Sequence, residues 1–132
     1  METTPRSYHI GLASALTALN VLVASGFSIA GLIKPDLVLP PGATPTGASA
    51  IFAMYAATRT IPLALITLVA IYQRSASALL VLGLLAGIIQ LLDAGVGLVQ
   101  HDVGKTIGPL FLAMLQAYAV IVFKKASNET SC

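Results

Sequence analysis

A chain of 132 residues that is 57% hydrophobic and only 9% charged carries too little polar surface for a water-soluble fold, in which roughly a quarter of residues are charged. Its length suits one domain, covered largely by lipid. The net charge of +2, without a basic patch, excludes nucleic acid as a partner, and a single cysteine, Cys132, excludes an internal disulfide, a CxxC pair and a cysteine-rich metal site.

Residues 1–9 are polar, and the apolar run after them is too long for the core of a signal peptide, so residues 10–33 read as a retained first span. Its length, about 36 Å as a helix, crosses the roughly 30 Å hydrocarbon core with some tilt. Ala13, Thr17, Asn20, Ala24, Ser28 and Gly31 recur every three or four residues, one stripe of small and polar side chains of the kind that lets helices approach in lipid. Residues 34–48 hold four prolines and two glycines and read as an irregular loop. It is longer than a helix connection requires, which suits a lid.

The second span is expected over residues 49–72, with Tyr55, Arg59, Pro62 and Ile66 on one helical face. Pro62 is expected to loosen the helix near Arg59. After the polar turn 73–75 comes the third span, residues 76–100. One of its faces carries Gly83, Gly87, Gln90, Asp93, Ala94 and Gly97, and His101 follows. Gly83 and Gly87 form a GxxxG pair, a packing motif frequent by chance. The fourth span, residues 106–123, holds Gln116, and residues 124–132 read as a polar, disordered tail. The expected fold is all-α, an integral membrane four-helix bundle in a single domain. Four spans put Arg6, Arg74, Lys124 and Lys125 on one side, against Lys34 and Lys105 on the other. Both termini are therefore expected in the cytoplasm, in the endoplasmic reticulum membrane if the cell is eukaryotic.

Counting down from the non-cytoplasmic ends, Arg59, Gln90 and Gln116 lie about 15 Å deep, Tyr55 and Asp93 about 9–10 Å, and Asn20 about 20 Å. Charge at such depth is costly unless it faces the bundle interior and finds a partner. Two readings follow. In one, Arg59 and Asp93 neutralise each other while the amides of Asn20, Gln90 and Gln116 brace the bundle. In the other, the layer lines a pocket for a lipophilic substrate, with Asp36, His101 and Asp102 at its mouth. His9 and His101 fall at opposite faces, so they share neither a haem nor a metal, and no HExxH, P-loop or GxGxxG occurs. No cofactor is implied. A proton-coupled exporter, working as a homodimer with Asp93 as the coupling residue, is a further reading of the same acid.

The order Ile33-Lys34-Pro35, then Thr58-Arg59-Thr60-Ile61-Pro62-Leu63, then Asp93 and His101 resembles the small four-span DoxX-like membrane proteins, especially a fungal and actinobacterial family of unknown function. That family often has an acidic residue after the arginine, where this chain has Thr60. The layout also looks like the small membrane-bound epoxide hydrolases and cyclases of fungal polyketide and terpenoid pathways, an analogy of size, span count and intramembrane acid. The implied activity is opening of a lipophilic epoxide, with Asp93 as base, Arg59 as its orienting partner and Tyr55 donating to the oxygen. If Asp93 is protonated it becomes the acid, and Asp36 or Asp102 supplies the base. The rival expectation is a non-enzymatic accessory subunit or small-molecule carrier.

Overall fold

The structure, a computed structural model, describes residues 5–130. It consists of α1 (Pro5–Ile33), a single 3₁₀ turn (Pro35–Leu37), α2 (Gly47–Tyr72), α3 (Ala76–Val99) and α4 (Val103–Thr130). All four helices are long and apolar enough to cross a membrane. The fold is an all-α four-helix bundle of a multi-pass membrane protein. Its outward faces carry leucine, isoleucine, valine and phenylalanine, while the buried positions are mostly alanine and small polar residues. Lipid is as apolar as leucine, so helices gain by close packing of small side chains rather than by hiding large ones.

Sequence signals set the helix ends. Thr46 and Ser49 form a capping box at the start of α2, with Ser49 N–H donating to Thr46 Oγ1 (3.2 Å) and Thr46 N–H to Ser49 Oγ (2.9 Å). The two tight turns share one design. At the end of α2, Arg74 N–H bonds to the Ile71 carbonyl and Ser75 N–H to that of Ala70. At the end of α3, His101 N–H bonds to the Leu98 carbonyl and Asp102 N–H to that of Gly97. Each is a Schellman turn, whose left-handed position is usually glycine; here Arg74 (φ 52°) and His101 (φ 53°) occupy it. The next residue, Ser75 or Asp102, then caps the following helix by accepting from Ala78 N–H (3.4 Å) or Lys105 N–H (3.1 Å).

The helices pack as an up-down-up-down ring. Of the adjacent pairs, α3–α4 is the most intimate and α2–α3 the slightest. Gly97 accounts for part of that: a Cβ there would collide with the backbone of Lys105 and Thr106, so only glycine admits the start of α4 so close. The small-residue stripe of α1 is the buried one, with Ala13, Thr17, Asn20 and Gly31 buried and Ala24 and Ser28 half-buried.

One expectation is corrected. The tail is not disordered as far as Thr130: α4 continues to that residue, because its last turns pack on the first turns of α1. Arg6 and Glu129 form an ion pair, and His9 Nδ1 lies 2.9 Å from the Tyr118 hydroxyl. Cys132 lies outside the described residues. The loop over residues 34–46 is tied down at both sides. Val38 packs on Gly31, where a Cβ would stand 3.1 Å from Val38 Cγ1. Lys105 Nζ donates to the carbonyls of Leu39 (3.0 Å) and Val38 (3.3 Å).

Candidate functional site

The centre of the bundle is a directional chain of hydrogen bonds. Gln90 Nε2 of α3 donates to Asn20 Oδ1 of α1 (2.5 Å), Asn20 Nδ2 to Gln116 Oε1 of α4 (3.0 Å), and Gln116 Nε2 to Thr17 Oγ1 of α1 (3.0 Å). Thr17 Oγ1 in turn donates to the Ala13 carbonyl (2.9 Å). All four side chains are buried. Asn20 is the hub, accepting from one helix and donating to another. Interhelical hydrogen bonds in lipid are each worth about 0.6–2 kcal/mol, so the layer fixes which faces of α1, α3 and α4 meet. The GxxxG pair serves the same layer, since a Cβ at Gly83 would stand 2.7 Å from Gln116 Nε2 and one at Gly87 3.4 Å from Gln116 Cγ.

Beside Asn20 and Gln90 lies a void of about 10 Å³, walled by Val21, Ala24, Thr60, Leu63, Ala86 and Ile89. That is at the lower limit for one water molecule. Among the described residues the layer leaves none of its fully buried side-chain polar atoms unsatisfied; the one such orphan is Thr67 Oγ1, farther along α2.

The expected Arg59–Asp93 pair does not form. Among the described residues the ion pairs are Arg6–Glu129 and Lys105–Asp102, and Arg59 and Asp93 are both exposed on the bundle surface. The four-three-four spacing of Tyr55, Arg59, Pro62 and Ile66 marks a real helical face, but all four are exposed. The reason lies in what α2 buries. Its inner stripe is Ala57, Ala64, Thr67 and Ala70, and Ser25 Oγ of α1 reaches over to the Thr60 carbonyl (3.0 Å). Arg59, two residues from Ala57, points away from that contact. On α3 the buried stripe runs through Ala86, Gln90, Ala94 and Gly97, leaving Asp93 at its edge, one turn beyond Ile89 on the side that faces α2. Each charge left in hydrocarbon costs about 2.5–3.5 kcal/mol or more.

At the loop end, the three residues expected at a pocket mouth have separate roles. Asp36 is exposed in the 3₁₀ turn. His101 is exposed and fills the left-handed turn position. Asp102 caps α4, and the Lys105 backbone N–H on its carboxylate, helped by the Lys105 ammonium at 3.4 Å, holds it below the usual carboxylate range. Lys105, counted in the sequence only for its charge, is the hub of this end. Its Nζ binds Gln100 Oε1 (3.1 Å) and Asp102 as well as the two loop carbonyls. At the opposite end a groove of about 430 Å³ runs between α1 and α4, lined by Arg6, His9, Ile10, Tyr118, Lys125 and Glu129 among others. Contacts such as His9–Tyr118, 109 residues apart, leave no local sequence signal.

Compared with known protein families, curated proteins and solved structures, the chain matches none.

Proposed function

We propose that this protein is a non-catalytic four-span membrane subunit that works by association within the bilayer, presenting Arg59 and Asp93 to a partner. The observation that carries this reading is a division of labour between two sets of polar groups. The buried amides satisfy one another beside a void of about 10 Å³, which among the described residues is too small for a lipophilic substrate or cargo. The two charges, in contrast, face outward and form no ion pair among the described residues. An intramembrane charge is retained against its cost when something meets it. The start of α1 and the end of α4 lie on one side of the bundle, and the excess of Arg and Lys there supports a cytoplasmic orientation for that side.

A test separates outward from inward charges. Arg59→Leu and Asp93→Leu should leave the melting of the detergent-solubilised bundle unchanged, because neither strands a partner inside it. A large loss of stability in each, recovered in the double variant, would mean that the two residues pair within one chain and would sink this reading.

Epoxide opening is the second reading, favoured by one observation: Tyr55 and Asp93 face the medium in which a lipophilic epoxide dissolves. Asp93 is then the base that takes the proton of an attacking water or internal hydroxyl, and Tyr55 gives its proton to the epoxide oxygen as the C–O bond breaks, the roles that the epoxide-hydrolase resemblance implies. Acid–base groups contribute about 10²- to 10⁴-fold. Purified protein should open an epoxidised polyene or terpenoid, and Asp93→Asn should lose at least about a hundredfold; unchanged turnover in that variant removes the second reading.

A further inference from the structure

We propose that the partner is a second copy of this chain, docked through the α2/α3 face so that Arg59 of each copy pairs with Asp93 of the other about a two-fold axis. This rests on the association reading above and names the occupant of the same face.

Depth is the first support. Thr60 and Leu63 of α2 line the same void as Ile89 and Gln90 of α3, which fixes the register of these antiparallel helices. In that register Arg59, next to Thr60, and Asp93, one turn from Ile89, stand within about one helical turn of the same depth. Lateral placement is the second. Asp93 lies one turn beyond Ile89 on α3 and Arg59 one turn before Leu63 on α2, and Ile89 and Leu63 line the void that α2 and α3 share, at the slightest seam between adjacent helices. Around them Tyr55, Ile66, Leu92 and Val96 are exposed and supply an apolar surround.

The third support is charge complementarity. One face carries one cation and one anion at nearly equal depth. A two-fold operation on such a face brings each cation against an anion twice, the defining property of an isologous interface. No external partner has to supply a matching pair. The pairing also removes both charges from lipid at once, whereas a partner bearing a single charge would leave the other exposed.

The experiment uses reciprocal charge reversal. Two differently tagged copies of the full chain are co-expressed, and co-purification from membranes is measured. Wild-type copies should associate. Arg59→Asp alone places two acids on the face, and Asp93→Arg alone places two bases there, so each should lose self-association by at least about tenfold. Copies with Arg59→Asp mixed with copies with Asp93→Arg restore both ion pairs and should recover association. The double variant, carrying both reversals in each copy, should also self-associate. An intramolecular pair predicts no recovery on mixing, and that result overturns the proposal, as does failure of wild-type copies to co-purify. Where a reversed charge hinders insertion, Arg59→Gln and Asp93→Asn provide the milder pair, expected to weaken association without altering bundle melting. Normal melting of the Leu variants together with absent wild-type self-association would reject the second copy alone, whereas destabilised Leu variants would reject the outward-facing reading itself.

Discussion

The amide of Gln116 fills the space that a side chain at Gly83 would need: a Cβ there would stand 2.7 Å from Gln116 Nε2. Gly97 makes a closer approach still, to the backbone of Lys105 and Thr106. The two glycines therefore differ in what can yield. At Gly83 the obstacle is the end of a flexible side chain, and at Gly97 it is main chain. Overpacking costs about 1–3 kcal/mol, occasionally more. Gly97→Ala should lower the melting temperature in detergent more than Gly83→Ala does. Equal losses would mean that the α3–α4 approach is less tight than this geometry requires.

Asn20 accepts from Gln90 and donates to Gln116, so its loss strands a group on each of two helices. Gln90→Leu strands one, Asn20 Oδ1. A stranded buried polar group costs about 1–3 kcal/mol. Asn20→Leu should therefore destabilise the bundle by roughly twice as much as Gln90→Leu, and a double-mutant cycle on the two should show coupling. Strict additivity would separate the residues energetically.

Arg74 and His101 hold left-handed backbone at the ends of α2 and α3, a conformation costing an L-residue about 1–2 kcal/mol that glycine avoids. Arg74→Gly and His101→Gly should each raise stability by about 1 kcal/mol. If His101 instead serves a ligand, the glycine variant gains stability and loses binding, which thermal melting and a binding assay would resolve together.

Acid should release the cap of α4. The folded Asp102 carboxyl lies below its ordinary value of 3.8, chiefly through the Lys105 N–H. A lowered folded pKa contributes stability that is present above the unfolded value and lost as pH falls through the folded one. The stability difference between wild type and Asp102→Asn should be constant near neutrality and shrink only below about pH 4. A difference that changes between pH 5 and 8 would point to another group.

Orientation has its own reporter in the sequon Asn128-Glu129-Thr130. With both termini cytoplasmic, Asn128 stays unmodified in a secretory membrane. A glycan there, in a protein with a lengthened C-terminal tail, would reverse the assigned topology.

The sequence by itself determined four spans, their approximate limits and the stripe on α1, because length, hydropathy and the spacing of small residues are local properties. It also placed Asn20, Gln90 and Gln116 at compatible depths, since depth follows from counting along a helix. Only the tertiary structure decided which face of α2 turns inward. Periodicity correctly grouped Tyr55, Arg59, Pro62 and Ile66, but a polar face and a small-residue face compete for the interior. The alanine stripe through Ala57, Ala64 and Ala70 won, because in lipid close backbone approach to α1 is the larger gain. The roles of Lys105, Thr17 and the His9–Tyr118 contact were likewise decided by folding, as each joins segments far apart in the chain, and nothing in the local sequence records which distant carbonyl or hydroxyl a side chain will reach.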